Sequence, residues 1–390
     1  MLCRIIKTKK STEVVLVQAI TEDLQKINMI FERALFDEYN IVNSNIVDLD
    51  VEKIKDFKGN DIWNVVKINK LFYGNKKEPY KNPEELHYSQ KTTINRKFIQ
   101  AYNAGDNLKK WIFKQKLTEQ LSKLMTEKGF MRIYTNNIMD ERGTSIVNPM
   151  KVSSNFSETK YLKITNELLL KEASFLTMQP VFEIGYVSRD IYKNRDDLNE
   201  YLSLEAVQNI KLNYDLAELY HEIYETAVET AQRCGLEDSI SVPPIRIVDV
   251  LKEFKYAGKF DIGAFKDYYK TLVKTLDKEN VIFVNAPTNS PLAKKIDIGI
   301  GLETKWRLCG AGVGHGYWSE IDHELVSQHM QYQVDELKSK GVDTKLPLNF
   351  INSLKYAGME NCAFNLGIDR FYYKFLGYPS IRDSENVLGL

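Results

Sequence analysis

The sequence predicts an α+β protein, an antiparallel β-sheet flanked by helices, with a smaller domain ahead of it. Three observations lead there. Runs rich in β-branched and aromatic residues are joined by polar connections that suit hairpins. Long amphipathic stretches separate groups of strands and do not alternate with single strands, which argues against a doubly wound sheet. The chain of 390 residues is longer than one core usually serves, so two domains are expected.

Composition supports this and narrows the function. Hydrophobic residues make up 43%, enough for a core in each domain. Lysine plus arginine equals aspartate plus glutamate at 53 each, so the overall charge carries no footprint for nucleic acid, although a local basic face stays open. Cys3, Cys234, Cys309 and Cys362 are scattered with no CxxC spacing. That argues against a disulfide framework or zinc ribbon and fits a reducing cytoplasm. No apolar run approaches the roughly 18 residues of a membrane helix, and no secretory signal is legible.

The elements follow in order. "EVVLVQAI" and "DIWNVVKINKLFYG" read as strands, and "EDLQKINMIFERALFDEY" has helical spacing. Residues 1–90 are therefore a small α+β or barrel-like domain. Residues 75–95, with two prolines and little periodicity, read as a linker, and 91–390 as the main domain. "NLKKWIFKQKLTEQLSKLMTEKGF" is a long amphipathic helix capped by Gly129. "MRIYTNNI" reads as a strand, 215–234 as a second long helix, and "DVLKEFKYAG" and "GAFKDYYKTLVKTL" as shorter helices. "NVIFVNAP", "KIDIGIGL" and "KWRLCGAGVG" read as strands. The glycine-rich run "CGAGVGHGYW" lacks the Lys-Ser/Thr of a P-loop and reads as a β-bulge or a close backbone contact. His315 and His323 stand off any standard ligand spacing, so no histidine metal site is expected. His323 reads as a helix-start residue.

The chemistry concentrates in "VFEIGYVSRDIYKNRDDLNEYLSLEAV", a hairpin over 181–207 with a charged loop. It puts Arg189 at a strand mouth and Tyr201 and Glu205 on the return. Three further stretches belong with it: "KYLKITNELLLKEASFL", "VIFVNAPTNSPLAKK" and "FINSLKYAGMENCAFNLGIDRFYYKFLGYPSIRD". In the last, Arg370 falls in the first turn of a helix, where backbone N–H groups already favour an anion. Two arginines, an aromatic and an acid converging on one cleft suit a nucleoside triphosphate.

In order and spacing these pieces resemble the catalytic domain of class II aminoacyl-tRNA synthetases, within the lysyl/aspartyl/asparaginyl subgroup. The hairpin is similar to motif 2 and "GIDR" to motif 3. "SPLAKK" and "GHGYWSEID" are similar to the lysyl type, while "LNEYLSLE" and "SIRD" lean toward the aspartyl and asparaginyl types. The resemblance runs from residue 93 to the C-terminus. It implies that Arg189 holds the α-phosphate and the substrate carboxylate, and that Tyr201 stacks on adenine. It implies that Arg370 grips the γ-phosphate and that Glu320 ligates magnesium. Glu167 would hold a substrate α-amino group, and Glu205 and Asp322 would face the amino-acid or metal pocket. The implied reaction joins a carboxylate to ATP-magnesium, giving an acyl-adenylate and pyrophosphate. A homodimer is implied through the helix at about 108–128, and an OB-like domain ahead of the catalytic one, with "KLFYGNKK" its only candidate contact for single strands.

Departures qualify the implied activity. Ile191 stands where motif 2 has a glutamate, and Asp197 near a usual cation. The second magnesium-binding acid falls near Gly312 or Val313, with Glu303 a replacement candidate. Motif 1 lacks its proline. Lys355 stands in place of a pocket acid and Val207 in place of a tyrosine, which disfavours a cationic substrate side chain. The aspartyl-type arginine falls near Ser319. The expectation is therefore a ligase that activates an amino acid or related carboxylic acid and passes it to a small-molecule amine. The alternatives are a genuine aminoacyl-tRNA synthetase and a non-catalytic regulatory paralogue.

Overall fold

Strand pairing at the N-terminus closes on itself. β1 (Leu2–Lys10), β2 (Val14–Thr21), β3 (Lys26–Glu32), β4 (Ile46–Lys55) and β5 (Asp61–Phe72) form a closed barrel in the order β1-β2-β3-β5-β4, and α1 (Arg33–Glu38) lies between β3 and β4. The computed structural model describes residues 1–41, 45–56, 58–72, 105–140, 148–153, 159–191, 197–256, 259–339, 341, 344–356 and 359–381. The expected linker at 75–95 lies outside them.

Period-two burial builds the barrel. Val15, Val17 and Ala19 point inward from β2, and Met29 and Phe31 from β3, onto Val47, Leu49, Val65 and Ile68. The five-stranded closed architecture is that of an OB-like barrel. It corrects the helical reading of 22–39, where only Arg33–Glu38 is helical. Ile27, Met29 and Phe31 satisfy a strand period in the same letters. Leu24 takes a left-handed φ of 64°, which breaks any helix, and pairing with β2 and β5 decides the outcome. Phe72 is exposed at the end of β5 with the Lys70 ammonium 4.7 Å from its ring centre.

The chain divides into two compact units, one within Met1–Phe113 and the other Lys114–Glu385. The second is built on an eight-stranded sheet. Its early elements are α2 (Gly105–Glu127) from Lys114 on, β6 (Met131–Arg132), β7 (Ile138–Met139), β8 (Lys151–Val152), β9 (Lys160–Leu162) and α3 (Glu167–Thr177). The middle holds β10 (Val181–Ser188), β11 (Glu200–Asn209), α4 (Leu216–Arg233), β12 (Ile245–Asp249), α5 (Val250–Glu253) and α6 (Ile262–Thr275). Then come β13 (Asn280–Thr288), β14 (Gly301–Leu308), β15 (Ala311–Trp318), α7 (His323–Ser339), α8 (Leu348–Ser353), β16 (Asn361–Gly367) and α9 (Ile368–Phe375). The order is β12-β13-β14-β15-β16-β11-β10-β6. It is antiparallel except at its two edges, β12 beside β13 and β6 beside β10. A small sheet, β7-β9-β8, stands apart.

The helix ends obey local chemistry. Gly129 follows α2 with φ +90°, its N–H bonded to the Thr126 carbonyl at 2.9 Å, as a C-terminal glycine cap requires. Asp215 caps α4 through the N–H groups of Ala217 (2.7 Å) and Glu218 (3.2 Å). Four expectations are corrected, the first being "KIDIGIGL", which is strand only from Gly301. "MRIYTNNI" pairs only at Met131–Arg132 and Ile138–Met139. "DVLKEFKYAG" is helical only over Val250–Glu253. "KWRLCGAGVG" is not one strand but the hairpin of β14 and β15, because Cys309 (φ 44°) and Gly310 (φ 87°) form a two-residue turn with both φ positive.

Register sets what each face of the sheet carries. The pairs Glu183↔Glu205, Glu205↔Asn365, Asn365↔His315 and His315↔Lys305 align one row of polar residues across β10, β11, β16, β15 and β14. Neighbouring residues point to the other face, where Trp306, Phe364 and Leu366 are buried. Tyr220 of α4 lies 5.5 Å from Trp306 between ring centres, and its hydroxyl donates to the Asn365 carbonyl at 2.9 Å. Phe371 of α9 packs on Trp306 at 5.2 Å. This close layering explains the glycine run. A Cβ on Gly314 would stand 2.8 Å from the Asn365 oxygen, and one on Gly316 would stand 2.5 Å from Phe364 Cβ and 2.9 Å from the Ala363 oxygen. A register shift between Trp306 and Arg307 adds the expected bulge.

Two stability outcomes follow. Gly316→Ala is expected to cost about 1–3 kcal/mol through overpacking, read as a lower urea midpoint. Lys163 and Glu183 form a buried pair at 2.9 Å. Lys163→Met alone is expected to cost about 3–5 kcal/mol, and Lys163→Met with Glu183→Met to recover most of it. Equal losses in the single and double variants would show that the lone charge is not what destabilises.

Candidate active site

The hairpin of β10 and β11 positions the first cation. Just past the ladder, the Arg189 N–H donates to the Asn199 carbonyl at 2.7 Å. The Asn199 side chain donates in turn to the Arg189 (3.0 Å) and Ile191 (2.8 Å) carbonyls, so the backbone at the strand mouth is pinned from both sides. The guanidinium lies 5.1 Å from the centre of the Tyr201 ring. Arg189 Nε is buried with no hydrogen-bond partner. Leaving such a donor unpaired costs on the order of 1–3 kcal/mol, more for a charged group, unless a ligand supplies the acceptor. Burial raises the Tyr201 hydroxyl to about 12, so it stays neutral.

The start of α9 positions the second. Gly367 is the N-cap, and Arg370 in the first turn donates from Nη1 to the Gly312 carbonyl at 3.1 Å and from Nη2 to the Asp197 carboxylate. One residue earlier, Asp369 is buried, pairs with Lys114 of α2 and accepts from the Leu202 N–H at 2.6 Å. That ties α9 to β11 and to α2. Arg189, Tyr201, Lys305, His315 and Arg370 line a cavity of about 210 Å³ floored by Gly312 and Gly314. Among the described residues no carboxylate lines it.

A second, smaller pocket of about 10 Å³ shares His315 and Asn365 with the first and adds Glu167, Glu205 and Tyr317. Glu205 accepts from the Thr165 hydroxyl (2.6 Å) and the Asn166 N–H (2.8 Å), yet burial still raises its carboxyl above the usual range. Glu167 is half-buried. Burial would raise it, but the Lys171 ammonium at 2.6 Å and the Tyr317 hydroxyl at 2.7 Å outweigh that and hold it below the usual range. Both contacts fall on Oε1. Two neighbouring carboxyls are thus pushed apart, one toward its acid and one toward its base form.

The structure therefore brings together Arg189, Tyr201 and Arg370 in one cavity and Glu167 and Glu205 in the adjoining pocket. It does not bring the other candidates there. Glu320 lines neither cavity; its Oε1 accepts from its own neighbours, the N–H groups of Ile321 (3.0 Å) and Asp322 (3.1 Å). Asp322 is exposed and caps α7 through the Glu324 N–H at 2.9 Å. Lys355 is exposed after α8 and lines neither cavity. Sequence reasoning missed Lys305, Lys171 and Tyr317. Lys171 was findable, being four residues beyond Glu167 on one helix. Lys305 and Tyr317 reach the site through strand register alone.

Magnesium held by protein carboxylates does not fit these residues. Val313 is apolar where the second acid would stand, and Glu320 serves its own backbone. Both Glu303 oxygens are engaged, by Lys305 Nζ at 3.2 Å and His315 Nδ1 at 3.3 Å. Among the described residues no three His, Cys, Asp or Glu side chains stand close enough to share an ion. A nucleotide's phosphates would find donors in the cationic wall and in Arg189 Nε, which has no partner among the described residues. Two larger cavities, of about 710 and 690 Å³, are not chosen by size. Arg189 and Arg370 line neither of them.

The description "tRNA synthetases class II (D, K and N)" belongs to a family whose pattern matches residues 89–385. Lysine--tRNA ligase of Streptococcus pneumoniae is 20% identical over an alignment of 344 residues that covers 77% of this chain and 69% of that protein. The lysine--tRNA ligase of Staphylococcus saprophyticus is 20% identical over 340 residues, with the same coverage. The lysylphosphatidylglycerol biosynthesis bifunctional protein LysX of Rhodococcus jostii is 24% identical over 299 residues, 66% of this chain and 27% of that protein. With the family pattern spanning the whole sheet, the hairpin that carries Arg189 and the helix that carries Arg370, the chain belongs to the class II tRNA synthetases of the aspartyl, lysyl and asparaginyl group.

Proposed function

We propose that the protein uses ATP to activate an amino acid or related carboxylic acid as an acyl-adenylate and transfers the acyl group to a small-molecule amine, forming an amide. The observation that carries this reading is the buried, unpaired Nε of Arg189 in a cationic cavity that shares His315 and Asn365 with a carboxyl-lined pocket. A carboxylate oxygen of the acid attacks the α-phosphorus. The bond to the bridging oxygen breaks, and pyrophosphate leaves with its electron pair. The acceptor amine then attacks the acyl carbon, AMP departs, and the amine proton is released. Arg189 offsets the charge developing at the α-phosphorus, and Arg370 holds the outer phosphates. Tyr201 lies under the Arg189 guanidinium and shapes the adenine side. Catalysis is positional and electrostatic.

In the acid pocket, Glu167 receives the substrate amino group on Oε2, and Glu205 sets the pocket floor. A pocket of about 10 Å³ admits little more than a water, so the acid enters as Tyr317 gives up its bond to Glu167. No step here passes through a protein-held metal; any magnesium would come bound to ATP. A non-tRNA acceptor draws support from the neutral net charge and from the Rhodococcus relative, whose name points to a lipid product. The OB-like barrel favours the rival reading, a synthetase that charges tRNA. Asp197 on Arg370, with Ile191 and Val313 in place of acids, favours a non-catalytic binding protein. We further infer a cytoplasmic homodimer, paired through α2. Among the described residues no helix is long and apolar enough to cross a membrane.

ATP–pyrophosphate exchange against the twenty amino acids and a panel of carboxylic acids, without tRNA, tests the reading. Exchange with one acid is expected; silence with and without total tRNA would favour the non-catalytic reading. Arg189→Ala is expected to lower exchange by about 100-fold or more with an unchanged circular-dichroism spectrum, and full activity would remove the mechanism.

Glu303 provides a pH test. Burial would raise its carboxyl, but the His315 bond and the Lys305 charge outweigh that and hold it below the ordinary 4.5. Its contribution to stability is therefore complete above pH 4.5 and lost as pH falls through the lowered value. Glu303→Gln is expected to flatten the acid side of the urea-midpoint profile, and an unchanged slope below pH 4.5 would contradict the sign.

A further inference from the structure

We propose that this protein neutralises the polyphosphate of its nucleotide with Lys305 and its neighbouring cations in place of a protein-held divalent metal, so that triphosphate binding persists without metal. The inference rests on the proposed nucleotide cavity and goes beyond the reaction assigned to it.

Four observations carry it. The cavity wall holds Arg189, Arg370, Lys305 and His315 and, among the described residues, no carboxylate. Lys305 is held over the cavity by Glu303, itself buried, at 3.2 Å. Each Glu303 oxygen already has a partner, Lys305 on Oε1 and His315 on Oε2, so this carboxylate positions a cation and is not presented to an ion. Val313 lines the same wall and brings no ligand.

Charge decides between the two designs. A divalent ion needs anionic oxygens to replace its water shell, and an ammonium nearby repels it. A triphosphate has the opposite needs. It carries several negative charges and gains from fixed donors in a partly dry cleft, where charge-assisted hydrogen bonds are strong. The register makes this arrangement specific. Lys305 pairs with His315 across β14 and β15, and His315 pairs with Asn365 across β15 and β16. The ammonium therefore stands in the polar row between the two arginines' cavity and the buried Glu303. Glu303→Gln would loosen Lys305 without removing its charge.

The test is calorimetric binding of ATP and of inorganic tripolyphosphate to the full chain, first in EDTA and then with magnesium. The wild type is expected to bind both in EDTA, within a few-fold of its affinity with magnesium. Lys305→Gln is expected to weaken binding in EDTA by about tenfold or more, and Lys305→Arg to retain most of it. Val313→Glu, which adds a carboxylate to the wall, is expected to lose binding in EDTA and regain it with magnesium. It serves as the second variant should Lys305→Gln fold poorly. Binding that appears only with magnesium overturns the proposal, as does unchanged binding in EDTA for Lys305→Gln or Val313→Glu. The outcome is separable from that of the proposed reaction. Metal-free binding with no exchange on any acid would sink adenylation and leave this inference standing. Exchange with magnesium but no binding in EDTA would do the reverse.

Discussion

The register of five antiparallel strands is the constraint on which the site depends. It lines Glu183, Glu205, Asn365, His315 and Lys305 across one face of the sheet. Side chains alternate with a period of two, so a slip of one residue would send this row into the apolar layer around Trp306 and Phe364 and turn those rings outward. The polar row and the hydrophobic layer therefore specify each other. Gly314 and Gly316 let the layer close, since neither position has room for a Cβ.

A polar row on a buried face is stable only when its members are satisfied. Glu183 is met by Lys163 and Thr135, Glu205 by Thr165 and the Asn166 N–H, and Lys305 and His315 by Glu303. Beyond the row, just past the end of β10, the buried Nε of Arg189 has no hydrogen-bond partner among the described residues. Support at one end and an unmet donor at the other describe a preorganised site: rigid where no ligand comes, incomplete where one would.

The second anchor is Asp369. Its two oxygens tie the start of α9 to Lys114 and to the Leu202 N–H. This fixes the next residue, Arg370, against the Gly312 carbonyl. Asp197 meets the same guanidinium where the family pattern has a cation. An outer phosphate at Arg370 thus competes with an acid of the protein itself. Balanced against that, Lys305 adds a further cation to the cavity wall.

Much of this was legible in the letters, because local chemistry and motif spacing act over short distances. The hairpin with Arg189 and Tyr201, the helix start with Arg370, the cap at Gly129 and the α+β class all follow from neighbours in sequence. The helix read over 22–39 formed only at Arg33–Glu38, because strand and helix periods coexist in those residues and barrel pairing chose between them. Glu320, Asp322 and Lys355 were named by motif position alone, and each is drawn instead to its own backbone or to solvent. Lys305, Tyr317 and the engagement of Glu303 had no local signal. They depend on which strands pair and in what register, and that is a property of long-range hydrogen bonding and packing, which only the tertiary structure decides.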